Sequence, residues 1–407
     1  MIETNKQAAI PLPQKQPPRN ASAEDWVTWY WSEFLPAWVE CARDPKGPGY
    51  FDLIDKNGQP DASRKTVLAQ ARLLFTFSHM ALLSGNPAHY AAAKTAREAL
   101  PVFQKPSGLY RRGVARNGQL TDKVEDNVAT SYDQSFIILG LSTWGKLERA
   151  EDTNAAIEAC WSAIEENLID PKTGLLLEHD DLDDPAEGNS PPRAQNPHMH
   201  LYEAALQASE MTGKTVWLDR AKRMRAKGLE FFFDVNSGTI TEFIAPDLST
   251  LSGRDGQRRE IGHQCEWAWL LLREIELGGD PRIAEIAERL LSFADDHGFA
   301  QNGIMDGLAF DAVSSDTSWR EERFLLWPQT EALKTYAIRS SQREQAEKAR
   351  RIAQSIFSQY FYGRTTFVNQ LDDSGAALWS DALSRLQYHL VLALTEGARS
   401  GLWSNPS

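Results

Sequence analysis

One alternation constrains this chain more than anything else in it. A helix that is apolar on nearly every side is followed by an amphipathic one, and the pair recurs. The apolar members lie at Thr66–His79, Ser131–Phe136, His198–Glu203, Gly262–Leu272, Trp327–Leu333 and Leu383–Leu390. Their amphipathic partners are Ala88–Phe103, Asn154–Leu168, Thr215–Phe233, Pro281–Ala294 and Gln342–Tyr360. Ahead of them, the capping-box pattern Ser22-Ala-Glu-Asp25 opens a further helix through Trp26, Trp29, Tyr30, Phe34 and Trp38. Each apolar helix carries a polar residue: Arg72, Asp133, His200, Glu266, Glu331 and His389. These recur at intervals of roughly 58 to 68 residues, the length of one helical hairpin with its loop. A helix apolar all round is buried, and an amphipathic one covers it. Six such pairs predict an all-α (α/α)6 barrel of six inner and six outer helices. An open solenoid would satisfy the same repeat, but six units with dissimilar loops favour closure. The barrel is expected over residues 21–407 as one domain, behind a mobile lead-in at 1–20 that carries Pro11, Pro13, Pro17 and Pro18.

The connections from outer to inner helices are long and rich in Gly, Asp and Pro, at about 107–127, 170–196, 236–260, 298–323 and 362–381. Long loops in a compact domain are functional or disordered. Because all of them precede inner helices, they crowd one rim, and a pocket is expected there over the N-terminal turns of the inner helices. The segment Asp234–Glu260, with Gly253 and Gly256, is a candidate lid. Trp319 and Trp379 lie in rim loops where aromatic rings could face a sugar.

Composition narrows the partners. A net charge of −13 argues against a nucleic-acid surface, an anionic membrane or a polyanionic substrate, and leaves a small neutral molecule as the easier ligand. Cys41, Cys160 and Cys265 are scattered without a CxxC, which fits a reducing cytoplasm. The first twenty residues hold no apolar run suited to a signal peptide, and no stretch reads as a transmembrane helix, so a cytoplasmic protein is expected.

His200, His263 and His389 would converge on the barrel axis with Glu266, Glu331, Asn196 and Arg72. Histidine is the natural proton carrier near neutral pH. No HExxH or Cys/His cluster is present, so no metal is expected, and no phosphate-binding loop or GxGxxG opens a helix, so no nucleotide cofactor is expected. Glycoside hydrolysis would need two carboxylates flanking one bond, for which Asp133, Glu266 and Glu331 are available, but it leaves the histidines idle. A non-catalytic helical scaffold would leave them idle as well.

Taken in order, Ala71-Arg72-Leu-Leu-Phe75, Asn196-Pro-His-Met-His200-Leu-Tyr-Glu203-Ala204, Gly262-His263-Gln-Cys-Glu266-Trp267, Trp327-Pro-Gln-Thr-Glu331-Ala332 and Tyr388-His389 resemble the N-acylglucosamine 2-epimerase superfamily. Within it the chain looks most like the D-mannose isomerase (aldose–ketose isomerase) branch. The resemblance runs from about Glu24 to the last helix. It implies an (α/α)6 barrel acting without metal or cofactor on the reducing end of a free sugar, and a homodimer is compatible with it. It implies acid–base roles for His263 and His389, with Glu266 tuning its neighbour. Arg72, Asn196 and His200 would hold the sugar, with Trp327 and Glu331 lining the pocket. An arginine upstream of the Gly-His helix is also implied; Arg254, Arg258 and Arg259 compete for that place, and Arg254 is preferred. The expected reaction interconverts D-mannose and D-fructose, or a related aldose such as D-lyxose, through a cis-enediol. A 2-epimerase and a glycosidase of the same fold are the alternatives.

Overall fold

The computed structural model describes residues 15–148, 151–182 and 190–406. The expected lead-in therefore lies largely outside the described residues, as does the 183–189 part of the loop before the third inner helix. Within the lead-in, Gln16 donates to the carbonyls of Phe361 and Arg364 at 3.1 Å, and Trp29 donates to that of Lys15 at 3.0 Å. Residues 15 and 16 thus lie against the outer layer.

In chain order the helices are α1 (Ala23–Trp29), α2 (Leu35–Ala42), α3 (Val67–Ser84), α4 (Pro87–Ala99), α5 (Val124–Asn127), α6 (Ser131–Glu148), α7 (Glu151–Asn167) and α8 (Asn196–Thr212). They continue as α9 (Thr215–Phe232), α10 (Gly253–Gln257), α11 (Ile261–Glu276), α12 (Ala284–His297), α13 (Leu326–Ile338), α14 (Arg343–Ser355) and α15 (Leu386–Arg399). Among the described residues, α3, α6, α8, α11, α13 and α15 pack side by side in that order, and α15 returns to α3. The ring is closed, and the molecule is an (α/α)6 barrel. Helices α4, α7, α9, α12 and α14 each cover the inner helix before them. The N-terminal unit supplies the sixth outer position: α1 packs on α14, Trp26 stacks on Phe357 at 5.6 Å, and the Tyr30 hydroxyl bonds Gln387 of α15.

Local chemistry sets these elements. Ser22 and Asp25 form the reciprocal capping box that starts α1. Between α1 and α2 the ladder widens into a π-helical turn, Tyr30–Phe34, where the Leu35 N–H reaches the Tyr30 carbonyl. Pro36, with no N–H to continue the ordinary ladder, follows immediately. Gly85 (φ 66°) ends α3 and Gly213 (φ 67°) ends α8 in the left-handed conformation that glycine adopts freely. Helix α3 has the length and apolarity of a membrane span, contrary to the sequence expectation, because an inner barrel helix meets the same test; it is mostly buried.

The loops are stitched together in a regular way. The residues entering each inner helix pair with the loop that precedes the next: 64–66 with 113–115, 193–194 with 243–244, 258–260 with 312–314, and 324–325 with 370–371. Thr130 bridges to His179 in the same sense, and 382–383 pairs with 53–54 to complete the circle. The segment 234–260 is tied by such pairs at 243–244 and 258–260 and carries the short α10.

A second device fixes register. Gln70, Gln134, Gln264 and Gln329 each accept the N–H and donate to the carbonyl of one loop residue, Tyr50, Tyr110, Ile240 and Ala309 respectively. His198 takes the place in α8, accepting the Leu176 N–H at 2.9 Å. Counting two residues onward from each, and from Gln387, gives Arg72, Phe136, His200, Glu266, Glu331 and His389. The second member of the inner ring is therefore Phe136, and Asp133 sits one turn nearer the rim at the level of His263.

Candidate active site

A cavity of about 740 Å³ opens at the rim where the inner helices begin. Arg72, Asn196, His200, His263, Glu266, Trp327 and His389 all line it. Glu331 does not line it; it is fully buried behind His389. Arg254 is also elsewhere. It is paired to Glu321 at 2.9 Å and lies 4.1 Å from the Trp319 ring on the outer surface. Arg258 bonds Asp311 and Glu321, and Arg259 bonds Thr239 and the Gly256 carbonyl. All three arginines upstream of the Gly-His helix thus hold the rim together instead of facing the cavity. Of the two rim tryptophans, Trp379 lines the cavity and Trp319 does not.

The two histidines of interest have opposite surroundings. His263 donates from Nδ1 to Glu242 at 2.7 Å, and Glu260 stands 3.3 Å from the same nitrogen. Burial alone would lower its pKa, but Glu242 and then Glu260 outweigh burial and lift it to about 10. His263 is an imidazolium at neutral pH, and its Nε2–H has no partner among the described residues. Glu260, buried beside Glu242, is raised to about 7.

His389 is held in the other state. Burial, then Arg72 and Lys334, push its pKa well below the ordinary value. The neutral ring donates from Nδ1 to Glu331 at 2.7 Å, which leaves Nε2 as an acceptor, 3.3 Å from Arg72 Nη1. His200 is also neutral: burial dominates and lowers it to about 4, with Nδ1 bonded to Glu203 at 2.9 Å. The Arg72 guanidinium lies 4.1 Å from the Phe136 ring centroid and 4.9 Å from that of Tyr388, and donates to the Tyr132 hydroxyl at 2.7 Å. Aromatic faces fix its plane without neutralising it.

Beneath the cavity floor lies a buried charge cluster. Lys334, fully buried, is 2.5 Å from Glu331 and 3.9 Å from Glu266. Glu203 accepts from the Tyr388 hydroxyl as well as from His200. Lys334 lies against Glu331 and reaches Glu266 only at 3.9 Å, too far for a hydrogen bond. Neither oxygen of Glu266 has a hydrogen-bond partner among the described residues. Burial, reinforced by Glu331 and Glu203, raises its pKa well above the carboxylate range, so Glu266 faces the cavity as a neutral carboxylic acid, a proton donor.

Trp327 stands between the two catalytic candidates, 4.8 Å from the His263 ring and 6.1 Å from that of His389. A Cβ on Gly262 would come within 2.3 Å of the Trp327 ring, so the first turn of α11 needs glycine here for the tryptophan to sit there. Two groups of donors, His200/Glu203/Glu266 and Glu242/Glu260/His263, have metal-ligand spacing, but in each the histidine Nδ1 is already bonded to one of the carboxylates. Sequence reading missed Glu242, Glu260, Lys334, Tyr132 and Arg385. The first two lie in or beside a rim loop, where no helical spacing points to them. Lys334 had a signal, its i,i+3 spacing from Glu331.

The N-acylglucosamine 2-epimerase family model matches residues 49–393. The chain belongs to that family. A protein of Rhizobium meliloti (strain 1021) named mannose-6-phosphate isomerase is 28% identical over 344 residues, covering 81% of this chain and 83% of its own. The fold matches cellobiose 2-epimerase from Spirochaeta thermophila with a TM-score of 0.78 at 20% identity, over 92% of this chain and 95% of that one. It matches a D-mannose isomerase with a TM-score of 0.76, also at 20% identity, over 90% of this chain and 97% of that one. The family and these relatives make the chain an enzyme of the sugar isomerase and epimerase class.

Proposed function

We propose that this enzyme interconverts an aldose and its ketose, D-mannose and D-fructose, through a cis-enediol held between His389 and His263. The observation that carries the reading is the pair of cavity histidines kept in opposite protonation states by different neighbours. One neutral ring with an acceptor Nε2 is a base; one imidazolium with an unpartnered N–H is an acid. His263 gives a proton to the ring oxygen as the hemiacetal opens, and the imidazole so deprotonated takes the C1 hydroxyl proton in return. His389 Nε2 then takes the C2 proton, and the electron pair moves to O1. Arg72 and the neutral Glu266 stabilise the charge that develops on the oxygens. Return of the carbon-bound proton to C1, with the O2 proton passing to O1, completes the ketose.

The relatives named mannose-6-phosphate isomerase and D-mannose isomerase support this outcome. A 2-epimerase uses the same intermediate and differs in returning the proton to the opposite face of C2; the likeness to cellobiose 2-epimerase supports it as the second reading. A glycosidase would lose one of its three candidate carboxylates, since Glu331 is paired to Lys334 behind His389, and would leave both cavity histidines without a task. The deciding experiment is incubation of the protein with D-mannose in D2O, followed by NMR. Fructose with deuterium at C1 is expected. Glucose deuterated at C2 as the first product would overturn the isomerase in favour of the epimerase.

A further inference from the structure

The cavity has two electrostatically different walls. In the ring order given above, α11 stands across from α3, and α6 and α15 flank α3. His263, Glu242 and Glu260 belong to the α11 side. Facing them are Arg72 on α3, Arg385 at the entry to α15, and Arg112 in the loop leading to α6, all lining the cavity. The chemistry proposed above employs Arg72 and leaves the other two without a task. Arg385 is half-buried and Arg112 is exposed at the mouth. Among the described residues, neither guanidinium makes a side-chain hydrogen bond or ion pair. That sets them apart from the rim arginines: Arg258, Arg323 and Arg116 each bind a carboxylate.

Nearby acids do not account for them. Asp133 is the cavity carboxylate that feels Arg112, Arg72 and Arg385 together, one acid against three guanidiniums. Asp52 is already occupied by the Thr66 N–H at 3.0 Å. Burial and then the neighbouring Arg72 disfavour the charge on Arg385, and Tyr132, Asp52 and Asp133 offset them only in part. A half-buried cation in that position is costly unless an anion visits.

We infer that Arg385 and Arg112 form a subsite for the phosphate of a phosphorylated sugar, carried at the end remote from the reacting carbons. The inference rests on the isomerase reading for placing C1 and C2 at His389. Arg385 precedes His389 by four residues, so it lies about 6 Å rimward along α15. An open-chain hexose spans a similar length from C1 to C6, which brings a C6 phosphate level with Arg385 and within the field of Arg112. Guanidinium forks bind phosphate oxygens in pairs, and two of them match a dianion.

The test pairs a titration with a specificity ratio. Inorganic phosphate is titrated into the unsubstituted protein by calorimetry, then into Arg385→Gln and Arg112→Gln. In parallel, kcat/KM is measured for D-mannose 6-phosphate and D-mannose with all three. Expected are phosphate binding that weakens in both variants, a parent preference for the phosphorylated sugar, and a fall in that preference of about 10–100-fold per variant. The inference is overturned if the parent binds no phosphate at millimolar concentration, if bound phosphate is unaffected by either substitution, or if both sugars lose kcat/KM in equal proportion. If neither sugar is isomerised, the isomerase reading fails by itself, and the phosphate titration still decides the subsite.

Discussion

Replacing Lys334 by methionine removes a cation from the driest part of the barrel while keeping much of its volume. The ammonium is fully buried, 2.5 Å from Glu331 and 4.2 Å from the Trp269 ring centroid. Without it Glu331 is a buried carboxylate left with the His389 Nδ1–H at 2.7 Å and the Thr330 hydroxyl at 3.5 Å. Breaking a buried pair from one side costs about 3–5 kcal/mol, a large part of the 5–15 kcal/mol that ordinarily separates folded from unfolded chains. The double variant Lys334→Met/Glu331→Gln removes both charges, and the glutamine carbonyl still accepts from His389. It should recover more than half of the loss, because no charge is stranded. Urea denaturation of parent, single and double variants measures this. The same substitution acts on the chemistry, since Lys334 is one of the cations that, after burial and Arg72, keep His389 neutral. The acid limb of kcat/KM should therefore move upward in the single variant. A single variant within about 1 kcal/mol of the parent, or a double variant no more stable than the single, would refute the cluster as described.

Further outcomes are expected. His263 must carry its proton to act as an acid, so kcat/KM should fall as pH rises through about 10. Glu242→Gln should bring that limb down by about 1–3 pH units; an unmoved limb would remove Glu242 from its role. The stability that the raised pKa contributes is fully present below about 6.5 and is lost as pH climbs through the folded value, so unfolding midpoints should decline over that alkaline window. Gly262→Ala should displace Trp327 from between the histidines and lower kcat/KM by at least tenfold while the far-ultraviolet circular dichroism stays that of the parent. Arg254→Ala, which removes an exposed rim ion pair, should leave kcat/KM within about twofold of the parent.

The barrel was legible because its repeat is long and its inner helices are apolar all round, a pattern with few alternative explanations. Register was less so. Asp133 was aligned with the inner ring because it is polar, but the recurring glutamines, Gln70, Gln134, Gln264 and Gln329, put Phe136 there. The glutamine repeat is present in the sequence, but glutamine neither titrates nor adds to the apolar pattern, so its spacing alone does not mark it. Residues on inner-helix N-terminal turns, such as His263 and His389, were found from helical position. Their tuning partners were found unevenly. Glu331 came from an inner helix, whereas Glu242 reaches His263 across a loop contact that no periodicity encodes. Arg254 failed for a related reason. Three arginines within six residues look interchangeable on paper, and their division among Glu321, Asp311 and Thr239 is decided by the pairing of 258–260 with 312–314.

The contact between Arg72 and His389 has a bearing on how the enzyme comes into being. It joins the first inner helix to the last, across 317 residues of chain. Domains emerge from the ribosome N-terminal end first, at about 5–20 residues per second. For most of that interval Arg72 is present in the nascent chain with no base to meet. The proposed base therefore arrives with the final helix, and a chain cut short of α15 would lack both the proton acceptor and the element that shuts the ring. Activity in a cell would then report complete synthesis, with few partly active fragments.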